Sequence, residues 1–175
     1  MRKSIMYILT VMALAAVLTG MTACAGLRTN GTQVTGVTTG APAGYKSAKG
    51  DANELPQTGT VGGYEYSVMK TEYYGEGIKK NRGFYIDTLD EPNAPYFIFV
   101  CSGEKSTGGY SIEVSDILVN DQGVMTVVVE ETSSNGGMVT EAFTAPYCGV
   151  TLKECPADVK VVDIYGNSFD QINGD

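Results

Sequence analysis

From Tyr64 onward the chain alternates apolar and polar residues in short runs separated by turn signals. Tyr64, Tyr66 and Val68 alternate with Glu65, Ser67 and Met69, a period of two that predicts a strand. Phe84–Thr88 predicts a second, closed by Asp90-Glu-Pro-Asn-Ala-Pro95, where two prolines forbid further pairing. The apolar run Tyr96–Cys101 reads as a buried strand. A polar loop bearing Gly108 and Gly109 follows, and then Tyr110, Ile112 and Val114 alternate with Ser111, Glu113 and Ser115. Strand, loop and half-buried strand together predict a β-hairpin, with an interruption or bulge at Ser115-Asp116 before Ile117–Asn120. Asn120-Asp-Gln-Gly123 marks a tight turn into a strand at Val124–Glu130. Thr132–Gly137 is the next turn, Met138–Ala145 is expected to be extended, and Cys148–Lys153 and Val159–Tyr165 supply the last two strands. The polar tail Gly166–Asp175 predicts fraying. Turns every eight to twelve residues and no helical period point to an all-β fold: an antiparallel β-sandwich or partly open barrel of about 7–8 short strands.

Before Tyr64 the pattern is different. Residues 24–60 are rich in Gly, Thr, Ala, Ser and Pro. They offer too little apolar surface to offset the entropy of ordering, so a flexible tether is expected there. Ahead of it, Met1-Arg-Lys is a positive start, Ile5–Leu18 is almost wholly apolar, and Met21-Thr-Ala-Cys24 closes the segment with small residues. This predicts an export leader over residues 1–23. Thr22-Ala-Cys24 resembles the lipobox of bacterial lipoproteins, in which Cys24 becomes the lipidated first residue, although Met21 replaces the usual leucine. Ala23-Cys-Ala25 also fits an ordinary A-x-A cleavage site. A retained transmembrane anchor is the third reading, because the apolar run falls short of the roughly 20 residues a bilayer needs. The remaining residues, 61–175, are enough for one β domain.

The chain carries 12 Lys+Arg against 20 Asp+Glu, a net charge of −8. An acidic surface is repelled by phosphate backbones, so no nucleic-acid partner is expected. The chain has no histidine, which removes Ser-His-Asp and Cys-His nucleophilic schemes and the common zinc sites. No metal, no cofactor and no catalytic residue is expected, and the protein is read as not an enzyme. Apart from Cys24, Cys101, Cys148 and Cys155 remain, an odd number that implies no closed disulfide framework. A Cys148–Cys155 bond is compatible with the sequence but not required by it. The eleven tyrosines include Tyr64, Tyr66, Tyr73, Tyr74, Tyr85 and Tyr96, which would line either a contact face or the core.

The central stretch resembles the C-terminal domain family of PrcB, a subunit of a bacterial surface protease complex. The resemblance rests on Ser102-Gly103, the short charged loop Glu104-Lys-Ser106, Thr107-Gly-Gly-Tyr110 and Ser111-Ile-Glu-Val114. Val127-Val-Val-Glu130 and Pro146-Tyr147 also fit, over roughly Phe97–Val162. The resemblance implies an extracytoplasmic lipoprotein of the bacterial cell envelope, on the outer face of the cytoplasmic membrane or the cell surface. Its membrane contact would be the lipid on Cys24. Its partner would be a surface or secreted protein, by the resemblance a protease that it stabilises or regulates. Partner contacts are expected from Glu104, Lys105, Thr107, Gly108, Gly109 and Tyr110 with the adjoining sheet edge. The alternative reading is an envelope accessory lipoprotein that binds a ligand or glycan through its tyrosines.

Overall fold

The computed structural model describes residues 41–72, 80–88, 94–133 and 141–172, all within one compact unit, Val37–Asp175. The leader, Cys24, Tyr73, Tyr74 and the start of the expected strand at Met138 lie outside the described residues. Among the described residues there are nine strands and no helix. They are β1 (Tyr45–Ser47), β2 (Thr58–Val61), β3 (Tyr64–Glu72), β4 (Arg82–Thr88), β5 (Tyr96–Ser102), β6 (Ser111–Asn120), β7 (Val124–Thr132), β8 (Tyr147–Leu152) and β9 (Asp158–Asp163). The fold is all-β, as expected. A four-stranded sheet ordered β1-β6-β7-β9 faces a five-stranded sheet ordered β2-β3-β8-β5-β4.

Alternation puts the two sheets' inner faces together. Ile112, Ile117, Met125, Val127 and Val129 from one sheet and Ile98, Val100, Cys148 and Val150 from the other are completely buried in a single core. Each large aliphatic side chain so buried contributes roughly 1.5–3 kcal/mol. The register of β6 against β7 shifts between Val114 and Asp116. The bulge predicted at Ser115-Asp116 is therefore present, and it has a purpose. It resets the phase so that Ile117 and Val119 face inward like Ile112 and Val114.

Four expectations are corrected. First, β5 and β6 are not a hairpin. β5 pairs with β4 and β8, whereas β6 pairs with β1 and β7, so the polar loop between them crosses from one sheet to the other. Both strands are apolar on the face that meets the core, which an arch satisfies as well as a hairpin does. Second, the pairing is not wholly antiparallel. β7 and β9 run parallel, Val124 opposite Asp158 and Val129 opposite Asp163, because the intervening β8 lies in the other sheet and the chain returns after two crossings. Third, the stretch expected as tether up to residue 60 contains two strands. β1 pairs with the end of β6 and β2 with the start of β3, so the domain begins no later than Tyr45. Gly62, between β2 and β3, shows how tightly this segment packs. Its φ is +60° and a Cβ there would lie 2.5 Å from Val119 Cγ1, so only glycine fits.

Fourth, the tail is not frayed over its described part. Phe169 is buried in the core, and the chain then runs beside β4, with Phe84 N–H donating to Asp170 O at 3.0 Å and Ile172 N–H to Phe84 O at 2.8 Å. The tail thus covers an edge that would otherwise be open. Asp163 organises the turn that leads into it. Its carboxylate accepts the backbone N–H groups of Tyr165 and Asn167 and the Asn167 side-chain amide.

Candidate functional site

The loop from β5 to β6 is held on both sides. On one, Glu104 N–H donates to Lys80 O at 2.8 Å, and the Lys80 and Glu104 side chains form an exposed ion pair at 3.2 Å. On the other, Lys105 and Thr144 exchange backbone hydrogen bonds, Lys105 N–H to Thr144 O at 2.8 Å and Thr144 N–H to Lys105 O at 3.0 Å. The Thr144 hydroxyl donates to Thr107 O at 3.2 Å. One turn earlier, Ser102 N–H donates to Pro146 O. Gly109 has φ +84°, which a residue with a Cβ rarely adopts. Gly109 thus serves the backbone conformation of the crossing loop.

The six expected contact residues separate into two groups. Glu104 and Gly109 are exposed, whereas Gly108 is buried and Thr107 and Tyr110 are half-buried. Lys105 turns its amine back onto Ser102 O at 2.9 Å and lies 5.5 Å from the centroid of the Tyr110 ring. That contact orders the loop from within, worth about 0.5–1 kcal/mol where solvent reaches it. Tyr110 precedes β6 and does not face the core as Ile112 does.

Beneath the loop, Arg82 Nη2 bonds Glu131 Oε2 at 2.8 Å and its guanidinium lies 3.6 Å from the centroid of the Phe169 ring, while Ser102 Oγ donates to Glu131 Oε1. Both sheets and the tail are thereby joined under the loop. Beside it stands Phe143, 70 % exposed, one residue before the Thr144 rung. Phe143 falls in the stretch Met138–Ala145, whose apolar residues keep no period of two, so the sequence does not mark it as exposed. A lone phenylalanine just ahead of Thr144-Ala-Pro146 was the available signal.

Little here resembles a reactive centre. Cys101 and Cys148 are fully buried, Cys155 is exposed, and Cys148 and Cys155 are not joined. Burial pushes the Cys148 thiol far up, reinforced by Cys101, Glu113 and Glu131, so its thiolate is not populated near neutrality. Among the described residues no His/Cys/Asp/Glu cluster suits a metal. Tyr66 and Tyr85 are buried, and Tyr64 and Tyr96 pack partly buried against the core. Tyr85 and Tyr147 lie in an aromatic layer on the far face of the five-stranded sheet. There Phe99 stacks on Tyr85 at 5.0 Å between ring centroids and tilts against Tyr147 at 6.3 Å. Burial, with Cys101, Asp87 and Tyr147 nearby, pushes the Tyr85 phenol up to about 12.

No curated protein and no solved structure matches the chain. The family resemblance read from the loop is borne out over a span that stops short of β9. Residues 96–153, which contain β5 to β8 and the loop just described, match the family described as PrcB C-terminal.

Proposed function

We propose that the chain is an extracytoplasmic protein-interaction module, anchored by lipid on Cys24, that docks on a surface protease and stabilises or regulates it. The observation that carries this reading is an exposed aromatic beside a braced loop. Phe143 projects next to the Thr144–Lys105 rung, and Glu104 and Gly109 are accessible around it. Large aromatics at the centre of such a patch are common anchors of protein contacts, and a loop already ordered loses little entropy on binding. The match to the PrcB C-terminal family supports the partner class. The glycan reading draws no such support, because Tyr64, Tyr66 and Tyr96 are packed in or against the core and Tyr85 is buried in the aromatic layer on the far face of the five-stranded sheet.

The test is a photoreactive phenylalanine analogue at position 143 in the full chain, expressed in its native cells. Cross-linking to a protease is expected. Cross-linking only to envelope polysaccharide, or to nothing, would defeat the reading.

A further inference from the structure

We propose that a groove between β3 and β6 accepts an extended segment of a partner protein, paired through its backbone to β6, in which apolar residues alternate with basic ones. The groove is separate from the loop face and does not depend on that reading.

The groove exists because the two outermost strands are short. β1 covers only the end of the ten-residue β6, from Tyr45 opposite Asn120 to Ser47 opposite Leu118. β2 covers β3 only from Tyr64 to Ser67. Past these ends the chain crosses from one sheet to the other and finishes each edge with a few hydrogen bonds, among them Ala48 N–H to Ile117 O at 2.8 Å. The Asp116 carboxylate accepts the Lys49 N–H and the Ser47 hydroxyl, and Gln57 bonds both backbone groups of Val68. Beyond that crossing lies an open groove of about 420 Å³, with Leu55, Val68 and Val114 along it and Lys70 and Glu113 at its lips. The Thr71 hydroxyl closes its far end by donating to Ile112 O.

That last bond shows which way β6 faces. Ile112 turns its carbonyl away from β7, and the alternation of an antiparallel ladder turns the backbone groups of Val114 the same way. A segment laid there would continue the line of β1 along β6, as partner strands do when they add to a sheet edge.

The same geometry sets the sequence it would take. A residue opposite Val114 points inward, over Leu55 and Val68, and should be apolar. Its neighbours emerge beside Glu113. Glu113 lies directly opposite Glu130, both exposed, and neither belongs to an ion pair among the described residues. Like charges directly opposite on a sheet are destabilising. A lysine or arginine emerging at that point would relieve the repulsion, and the acidic chain as a whole favours a basic segment.

The probe is a synthetic peptide of alternating valine and lysine, offered to the full chain in detergent. Binding should slow hydrogen exchange at the Val114 amide. Of two versions N-methylated on alternate residues, one for each edge of the peptide, one should lose binding and the other keep it. Glu113→Lys, a change at an exposed position, should weaken the valine–lysine peptide about five-fold and strengthen a valine–glutamate peptide. Absence of binding, or binding indifferent to both N-methylation patterns and to Glu113→Lys, would overturn the proposal. So would protection of Val114 that rises with protein concentration alone, which would make a second copy of the chain the occupant.

Discussion

The four strands inside the family match and the strands wrapped around them are built on different terms. β6 and β7 are the middle of one sheet, and in the other β8 is the central strand with β5 beside it. Apart from the bulge at Ser115-Asp116 in β6, their inward residues alternate regularly, and Ile98, Val100, Ile112, Val127, Val129 and Val150 have no exposed surface. Of the elements around them, β3, β4 and β9 are strands of nine, seven and six residues, but β1, β2 and the tail are short or irregular. β1 is Tyr-Lys-Ser, β2 is Thr-Gly-Thr-Val, and the tail joins β4 through a single bridge at Gln171. The centre folds by its own pattern, whereas the periphery is fixed by what it docks on, through Gly62 under Val119, Asp116 under Lys49 and Phe169 under Arg82.

The largest effect should come from the centre. Ile98→Ala leaves a cavity in a site with no exposure and should cost about 4 kcal/mol, measured as a lower urea midpoint at unchanged slope. A cost below about 1 kcal/mol would mean that the sheets do not meet there.

Phe169→Ala sharpens the contrast, since it places a large core residue on a peripheral element. A loss of about 3 kcal/mol is expected, near the lower end for phenylalanine, because the ring is covered on one face by the Arg82 guanidinium. An unchanged midpoint would return the tail to the frayed state that its sequence suggests.

Truncation distinguishes the two sides of the boundary at Tyr45. A chain beginning at Ala41 should melt with the full chain's midpoint. One beginning at Gly59 loses β1 and the Leu55 contact with the core and should melt several degrees lower, on the scale of roughly 4–8 °C for each 1 kcal/mol. Equal midpoints would place residues up to 58 outside the fold.

The smallest effect concerns acid. Burial tends to raise the carboxyl of Asp163, but hydrogen bonds from Asn167 and Tyr165, with Arg82 nearby, outweigh it and hold the group below its ordinary value. A depressed carboxyl stabilises the fold above its unfolded pKa, and that contribution disappears as pH falls through the folded one. Asp163→Ala should therefore cost about 1 kcal/mol at neutral pH and progressively less below pH ~4. A cost that does not vary with pH would assign the turn to shape alone.

The same division explains what could be read from the chain. Val124–Glu130 and Tyr96–Cys101 announce themselves by period, burial and bounding turns, and the structure places strands there. Period two cannot say which sheet a strand joins, so β5 and β6 were expected to pair when they cross instead. Tyr45-Lys-Ser47 has no period long enough to register; only β6, more than sixty residues away in sequence, makes it a strand. Phe169 is one apolar residue among polar neighbours, and its value depends on the hole it fills. Of the candidate site, the loop was legible. Phe143 was not, because exposure is decided by the surrounding fold.

The central functional claim is that this fold presents the braced loop to a partner protein, and Phe143→Ser tests it most directly. At 70 % exposure the ring contributes little to the core, so the melting midpoint should stay within about 1 °C of wild type, as a surface change should. Affinity capture of the full chain from native membranes should yield a protease with the wild type and at least ten-fold less with the variant, about 1.4 kcal/mol of binding. Equal recovery of the protease by both chains at equal stability would contradict the claim.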